Sequence, residues 1–310
     1  MPALTAQQRQ TLAHLDQRLD RIAVLPGVVS RLLAADPVAP DFADIVIALA
    51  RSDPPFALRL MQVASTLRGG AESDRLDSIP DAILRVGVRP LADLLLSLSV
   101  VEVFIPRTPG QRNLWVHSIQ VAMAARRLAQ LHPQTGIGPE QAYLAGLLHD
   151  IGRFVMFEHR PSDLGQIDEA AVGNPKELVE AELRICGFDH AELGWHVCEQ
   201  WKVAEMVTAM VRYHHRYRDT LAAVPPEVVG LVRLVQQADF MSFGLLQNPA
   251  LPHQPDRQAA LERLLQVGGE PLVPVAACAD HLADIDRESR LAASLVDIVV
   301  GGSGTGSPRS

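Results

Sequence analysis

Cysteine is scarce in this chain. Cys186, Cys198 and Cys278 are its only three, and none has a second cysteine at metal-knot spacing. That disfavours a structural zinc knot and a disulfide framework, and the three are read as reduced thiols of a cytoplasmic protein. Positive charge is also in deficit, with 28 Lys and Arg against 36 Asp and Glu, a formal −8. The clustered cations that nucleic acid or an anionic membrane surface requires are therefore not expected. No hydrophobic run is long. The most apolar stretch, Leu91 to Ile105, is interrupted by Asp93 and Glu102 and falls short of the roughly 20 residues of a membrane span. The N-terminus MPALTAQQRQ lacks the basic start and apolar block of a signal peptide.

What is present is helical spacing. Hydrophobic residues make up 48% and charged residues 21% of the 310, enough to bury a sizeable core in one large domain or two ordinary ones. Leu4, Leu12, Leu15, Leu19 and Ile22 share one stripe, so residues 1–24 are expected to form a first amphipathic helix. "DFADIVIALARSDP" begins with Asp41 in capping position and ends at Asp53-Pro54. "PRTPGQR", residues 106–112, is the best internal boundary, with two prolines and a glycine between apolar elements. Helical stretches fill 113–245 and again 246–300, and the Gly/Ser-rich tail 301–310 reads as disordered. Convincing strand alternation occurs nowhere, so the expected class is all-α. The apolar stretches "VGVRPLADLLLSLSVV" and "FADIVIALA" offer a docking groove, although ordinary core accounts for them more simply.

Histidine carries the chemical signal. His117, His149, His190 and the doublet His214-His215 each lie in or at the end of an apolar helical stretch, and Asp150 adjoins His149 in "LAGLLHDIGRF". Asp239 follows in "QQADF". Imidazole with carboxylate and without thiolate suits iron, manganese, nickel or zinc. Helical bundles build such centres from inward-pointing side chains. Neighbouring residues on a helix point about 100° apart, so a His-Asp or His-His doublet suits a site for two metal ions. Buried histidines are also often plain hydrogen-bonded core, and spacing alone leaves both readings open. Arg126-Arg127, Arg216 and Arg218 flank the candidate site and could hold phosphate or simply face solvent.

In that order the residues resemble the HD superfamily of metal-dependent phosphohydrolases. Their context resembles more closely the HDOD (HD-related output domain) family of bacterial signalling proteins. The resemblance runs through "LPGVVSRLLAADP", "IALARSDPPFALRLMQVAS", "SIPDAILRVGVRPLADLLLS", "LWVHSIQVAMAARRLA", "AYLAGLLHDIGR", "GFDHAELGWHVCEQW" and "VRYHH", about Leu25 to Asp239. It implies a helical HDOD subdomain over 25–105, packed on an HD-like helical bundle over 113–245. It also implies metal ligands at His117, His149, Asp150, His190, His214, His215 and Asp239, and a catalytic role for Asp150, lying between two divalent ions, and for Arg153.

Two features depart from the catalytic HD-GYP relatives. "HHRYRDTLAAVPPEVV" has no Gly-Tyr-Pro triplet after the paired histidines, and Arg153 stands where those enzymes usually carry Lys. Arginine can grip a phosphate in bidentate fashion but is not an equivalent donor. Asn113, one turn before His117, offers a neutral amide where some relatives place an extra acidic ligand, which argues against a third ion. The expected function is that of a signalling or regulatory protein acting through a protein partner or a nucleotide second messenger. The alternative is an active phosphohydrolase on a nucleotide or cyclic nucleotide. Membrane and nucleic acid are not expected as partners, and a homodimer is left open.

Overall fold

Proline marks where this chain starts its helices. A computed structural model describes residues 39–66, 76–87, 109–170, 175–201 and 203–301, together with Arg31 and Ala35. In chain order its helices are α1 (Phe42–Ser52), α2 (Pro54–Thr66), α3 (Ile79–Val86), α4 (Pro109–Leu131) and α5 (Pro139–Leu148). There follow α6 (Ile151–His159), α7 (Pro161–Ala170), α8 (Pro175–Cys186), α9 (His190–Gln200) and α10 (Glu205–Tyr213). The series closes with α11 (Pro226–Gln247), α12 (Arg257–Gly268) and α13 (Val275–Gly301). Proline is the first residue of α2, α4, α5, α7, α8 and α11, where its fixed φ suits the first turn and its missing N–H has no partner to lose. No strand occurs among the described residues, so the chain is all-α as its spacing predicts.

Side-chain caps sharpen the starts that matter. Ser78 accepts a hydrogen bond from Asp81 N at 3.2 Å, and Asp189 Oδ1 accepts one from Glu192 N at 2.8 Å, setting the first turns of α3 and α9. Asp41 occupies the N-cap of α1 as expected, yet its side chain makes no cap hydrogen bond. The capping carboxylate is Asp53, whose Oδ1 accepts from Phe56 N at the start of α2. Helix α4 begins at Pro109, inside the stretch 106–112.

Helix α4 is the axis of the larger part and packs against α5, α11 and α13. Trp115, Ile119, Ala122, Ala125 and Leu128 are fully or almost fully buried on it, and each large apolar side chain so buried contributes about 1.5–3 kcal/mol. α5 is apolar all round and buried from Ala142 to Leu148, the pattern of a central helix. Gly146 lets α5 press on α4, because a Cβ there would stand 2.8 Å from the Ala122 Cα.

The short helices α1 to α3 lie on this bundle, α1 against α4 and α13, α2 against α5 and α6, α3 against α5. Arg51 reaches Glu140 at 2.6 Å, and the Tyr143 hydroxyl donates to the Arg51 carbonyl at 2.9 Å. In "FADIVIALA", Phe42, Val46, Leu49 and Ala50 are buried, so that face of α1 is core. The segment 1–24 expected to form a first helix, most of the segment Leu25 to Pro37, the apolar stretch 88–105 expected to be helical, and the tail 302–310 lie outside the described residues. No described helix is long and apolar enough to cross a membrane.

Candidate metal centre

Both doublets occupy the same kind of place. His149-Asp150 fill the two-residue joint between α5 and α6, and His214-His215 follow directly on α10. The sequence places Asp150 and His149 at the end of a hydrophobic helix, and the structure puts them just past it. The last carbonyls of a helix have no partner in the helix itself. His149 Nδ1 lies 2.8 Å from Gly146 O, and His214 Nδ1 lies 2.7 Å from Val211 O, each three residues back. Each ring thus donates Nδ1–H to a terminal carbonyl, which leaves Nε2 as the outward lone pair. Two helix C-termini, with their partial negative charge, face the same point.

The other rings are held similarly by their Nδ1 atoms. His117 Nδ1 is 2.9 Å from Ser242 Oγ, and that hydroxyl itself donates to Gln120 Oε1 at 2.8 Å. Ser242 must therefore accept from His117. His190 Nδ1 donates to Glu182 Oε2 at 2.6 Å, and the His190 backbone N–H donates to the same oxygen at 2.9 Å. His215 Nδ1 pairs with the Tyr217 hydroxyl at 2.8 Å.

The Nε2 atoms then converge. Separations are 3.2 Å for His117–His149, 3.2 Å for His190–His214 and 2.9 Å for His190–His215. Asp150 sits among them, with Oδ1 2.9 Å from His190 Nε2, 3.5 Å from His149 Nε2 and 3.7 Å from His214 Nε2, and with Oδ2 3.7 Å from His117 Nε2. Asp239 Oδ1 lies 3.3 Å from His117 Nε2. All seven residues expected as ligands are thus brought together. Asp150, His190, His214 and His215 offer ligand atoms within 4.8 Å of one another, and so do His117, His149 and Asp150.

These residues fit a divalent cation. Nitrogen lone pairs that meet at about 3 Å repel unless a proton or a positive ion lies between them, and thiolates are absent from the group. The neighbourhood is dry, with His149, Asp150, His190, His214 and Asp239 each at most 3% exposed. Burial holds the His149 pKa down to about 4 and that of His215 well below its ordinary value, so both rings are neutral. For His190 burial acts downward too, but Glu182 and Asp150 outweigh it and raise the ring to about 10. Burial works against the Asp150 charge, and the imidazoles around it, His149 and His190 foremost, hold its carboxyl well below the usual range. Tyr217 is pushed up by burial and by the charges of Asp239 and Asp150, so it stays a phenol.

The remaining site expectations fall elsewhere. Arg153, expected to grip phosphate, has its Nε 3.7 Å from Glu182 Oε1, with a side chain only 13% exposed. Arg126 lies over the Tyr143 ring and near Glu140, and Arg127 donates to His281 Nδ1, so both serve the packing of α4. Asn113 is exposed on the first turns of α4. Glu182, Ser242, Gln120 and Tyr217 emerge only from the structure. For Glu182 a signal was present, because it sits between Leu178 and Ile185 on the apolar stripe of α8, where a carboxylate needs a partner.

The HDOD domain family model matches residues 22–217. The chain belongs to the HDOD family. Its fold is similar to that of the MmoQ response regulator from Methylococcus capsulatus, at a TM-score of 0.63 and 20% identity over 86% of this chain and 97% of that one. A virulence factor from Campylobacter jejuni is similar at a TM-score of 0.63 and 18% identity, over 90% of this chain and 96% of that one. An uncharacterized protein of Treponema pallidum (strain Nichols) is 29% identical over 238 residues, 75% of this HDOD chain and 45% of that relative. The chain thus spans less than half the length of this curated relative.

Proposed function

We propose that this HDOD chain is a bacterial, cytoplasmic signalling protein that acts mainly by binding a partner. In this reading 25–105 is the HDOD subdomain and 113–245 the HD-like bundle. His117, His149, Asp150, His190, His214, His215 and Asp239 hold a divalent-metal centre with room for two ions. The observation that carries it is enclosure. Structural metal sites are closed, whereas catalytic ones keep a position open to substrate, and most of these ligands have almost no exposed surface. Arg153 supports the same reading, since it faces Glu182. The likeness to a response regulator agrees with a signalling role.

The retained donor set favours a second reading, a metal-dependent phosphohydrolase on a nucleotide or cyclic nucleotide. A bound divalent ion would supply an acidified water and a clamp on phosphate oxygens. This chain's part would be to fix Asp150 between the two groups of imidazoles and to keep the centre dry. A phosphodiesterase screen with metal-loaded wild type and Asp150→Ala separates the two. The regulatory reading expects no turnover on linear or cyclic nucleotides. Turnover that Asp150→Ala abolishes would replace it with the enzyme.

A further inference from the structure

The seven candidate ligands are not surrounded alike. His190, His214 and His215 with Asp150 make a four-donor group, and His117 and His149 with Asp150 a three-donor group, so the two share a single carboxylate. Behind the first group stands a charged pair. Glu182 is fully buried, both hydrogen bonds to its Oε2 come from His190, and its Oε1 faces Arg153 at 3.7 Å. Behind the second group the neighbours are neutral, the Gly146 carbonyl for His149 and the Ser242 hydroxyl, relayed to Gln120, for His117. Each group has one partly exposed ring, His215 in the first and His117 in the second.

We infer that Glu182, steadied by Arg153, makes the His190–His214–His215 half of the centre the tighter one, so that ions load there first and at His117–His149 second. This rests on the metal centre proposed above and adds its internal order. A carboxylate on the far nitrogen of a ligating imidazole fixes the ring and strengthens it as a donor, and removing such a partner typically costs 10–100-fold in metal affinity. A neutral hydroxyl or carbonyl fixes the ring but supplies less basicity. The second ion also enters beside the first and shares Asp150 with it, so like-charge repulsion adds to the difference. A carboxylate in a dry interior is steadied by a fixed cation, and the Arg153 guanidinium, 3.7 Å from Glu182 Oε1, is placed to do that on the side away from His190. Arg153 therefore acts as a positioning residue through Glu182, in the place where the catalytic relatives carry Lys.

The test is a cobalt(II) titration of the chelator-stripped full chain, followed by calorimetry and by visible absorption. The wild type is expected to fill in two steps separated by at least about tenfold in affinity. Glu182→Gln should weaken the first step by about 10–100-fold and shift its absorption bands, with the second step within about threefold of wild type. Arg153→Met should act in the same direction, and Arg153→Lys should restore the first step. Asp239→Asn, beside His117, should weaken only the second, and it keeps the ordering testable if Glu182→Gln fails to fold. Two equal steps in the wild type, or a first step untouched in Glu182→Gln, overturn the inference. A wild type that takes up no ion overturns the metal centre itself, and the ordering with it.

Discussion

Gly152 and Gly194 meet backbone to backbone: a Cβ on Gly152 would stand 2.8 Å from the Gly194 nitrogen and would collide outright with the His190 carbonyl. The glycine of "HDIG" is therefore a contact surface between α6 and α9 that fixes how near His190 comes to Asp150. Gly152→Ala should force the two helices apart, at a cost of about 3 kcal/mol, the upper range for overpacking. Thermal unfolding will show the loss, and metal uptake should fall with it. A variant as stable as the wild type would mean that α6 and α9 are not in this contact.

Asp150 is the one residue common to both ligand groups. Asp150→Asn keeps the shape and removes the shared charge, so both halves of the centre should fail together. Uptake of iron or manganese, read by elemental analysis after purification without chelator, should fall by about 100-fold in affinity, beyond the 10–100-fold of a supporting residue. His117→Ala should spare the His190 half by comparison. Equal losses in the two variants would contradict the division into two groups.

The helical class was legible because it rests on local pattern; the same pattern singled out the seven candidate residues, and only the family resemblance joined them into one set. Periodicity marks helices, and His149-Asp150 and His214-His215 advertise themselves as adjacent polar pairs closing apolar stretches. Roles that depend on distant partners were not legible. Ser242 fixes the His117 ring from 125 positions away, and nothing near either residue signals it. Glu182 reaches His190 only because the chain turns at Gly187, in positive φ, between α8 and the Asp189 cap of α9. Arg153 is a further case, since its sequence position matches a phosphate contact and only the fold shows its side chain near Glu182. The cap of α1 failed on geometry, as Asp41 has the residue type and the position but not the hydrogen bond.

Tyr143 ties the N-terminal helices to the helix that runs into His149. Its hydroxyl donates to the Arg51 carbonyl, and the Arg51 and Arg126 guanidinium groups lie 5.4 and 5.2 Å from its ring centre. Tyr143→Phe removes that one hydrogen bond and should cost about 1 kcal/mol. For a chain of this size that corresponds to a fall of about 2 °C in Tm. Arg51→Met breaks a half-exposed pair with Glu140 and should cost less than about 1 kcal/mol. Metal content should be unchanged in both, and a loss of metal in Tyr143→Phe would show that this joint controls the centre.

The metal-free protein should give up a proton when it binds metal, and His190 is its source. Burial alone would lower this ring, but Glu182 and Asp150 raise it from 6.5 to about 10, so it carries a proton on both nitrogens at pH 7. Its contribution to the stability of the metal-free fold is fully present below pH 6.5 and fades as pH rises through about 10. A ligating imidazole must be neutral, so binding at Nε2 expels one proton and affinity should rise about tenfold per pH unit between 6.5 and 9. His149, held down to about 4, is already neutral at pH 7 and releases none. Titrating cobalt(II) into weakly buffered protein with a pH indicator should report about one proton with the first equivalent at pH 7. An affinity flat across that window, with no acid released, would mean that His190 is neutral between its two carboxylates.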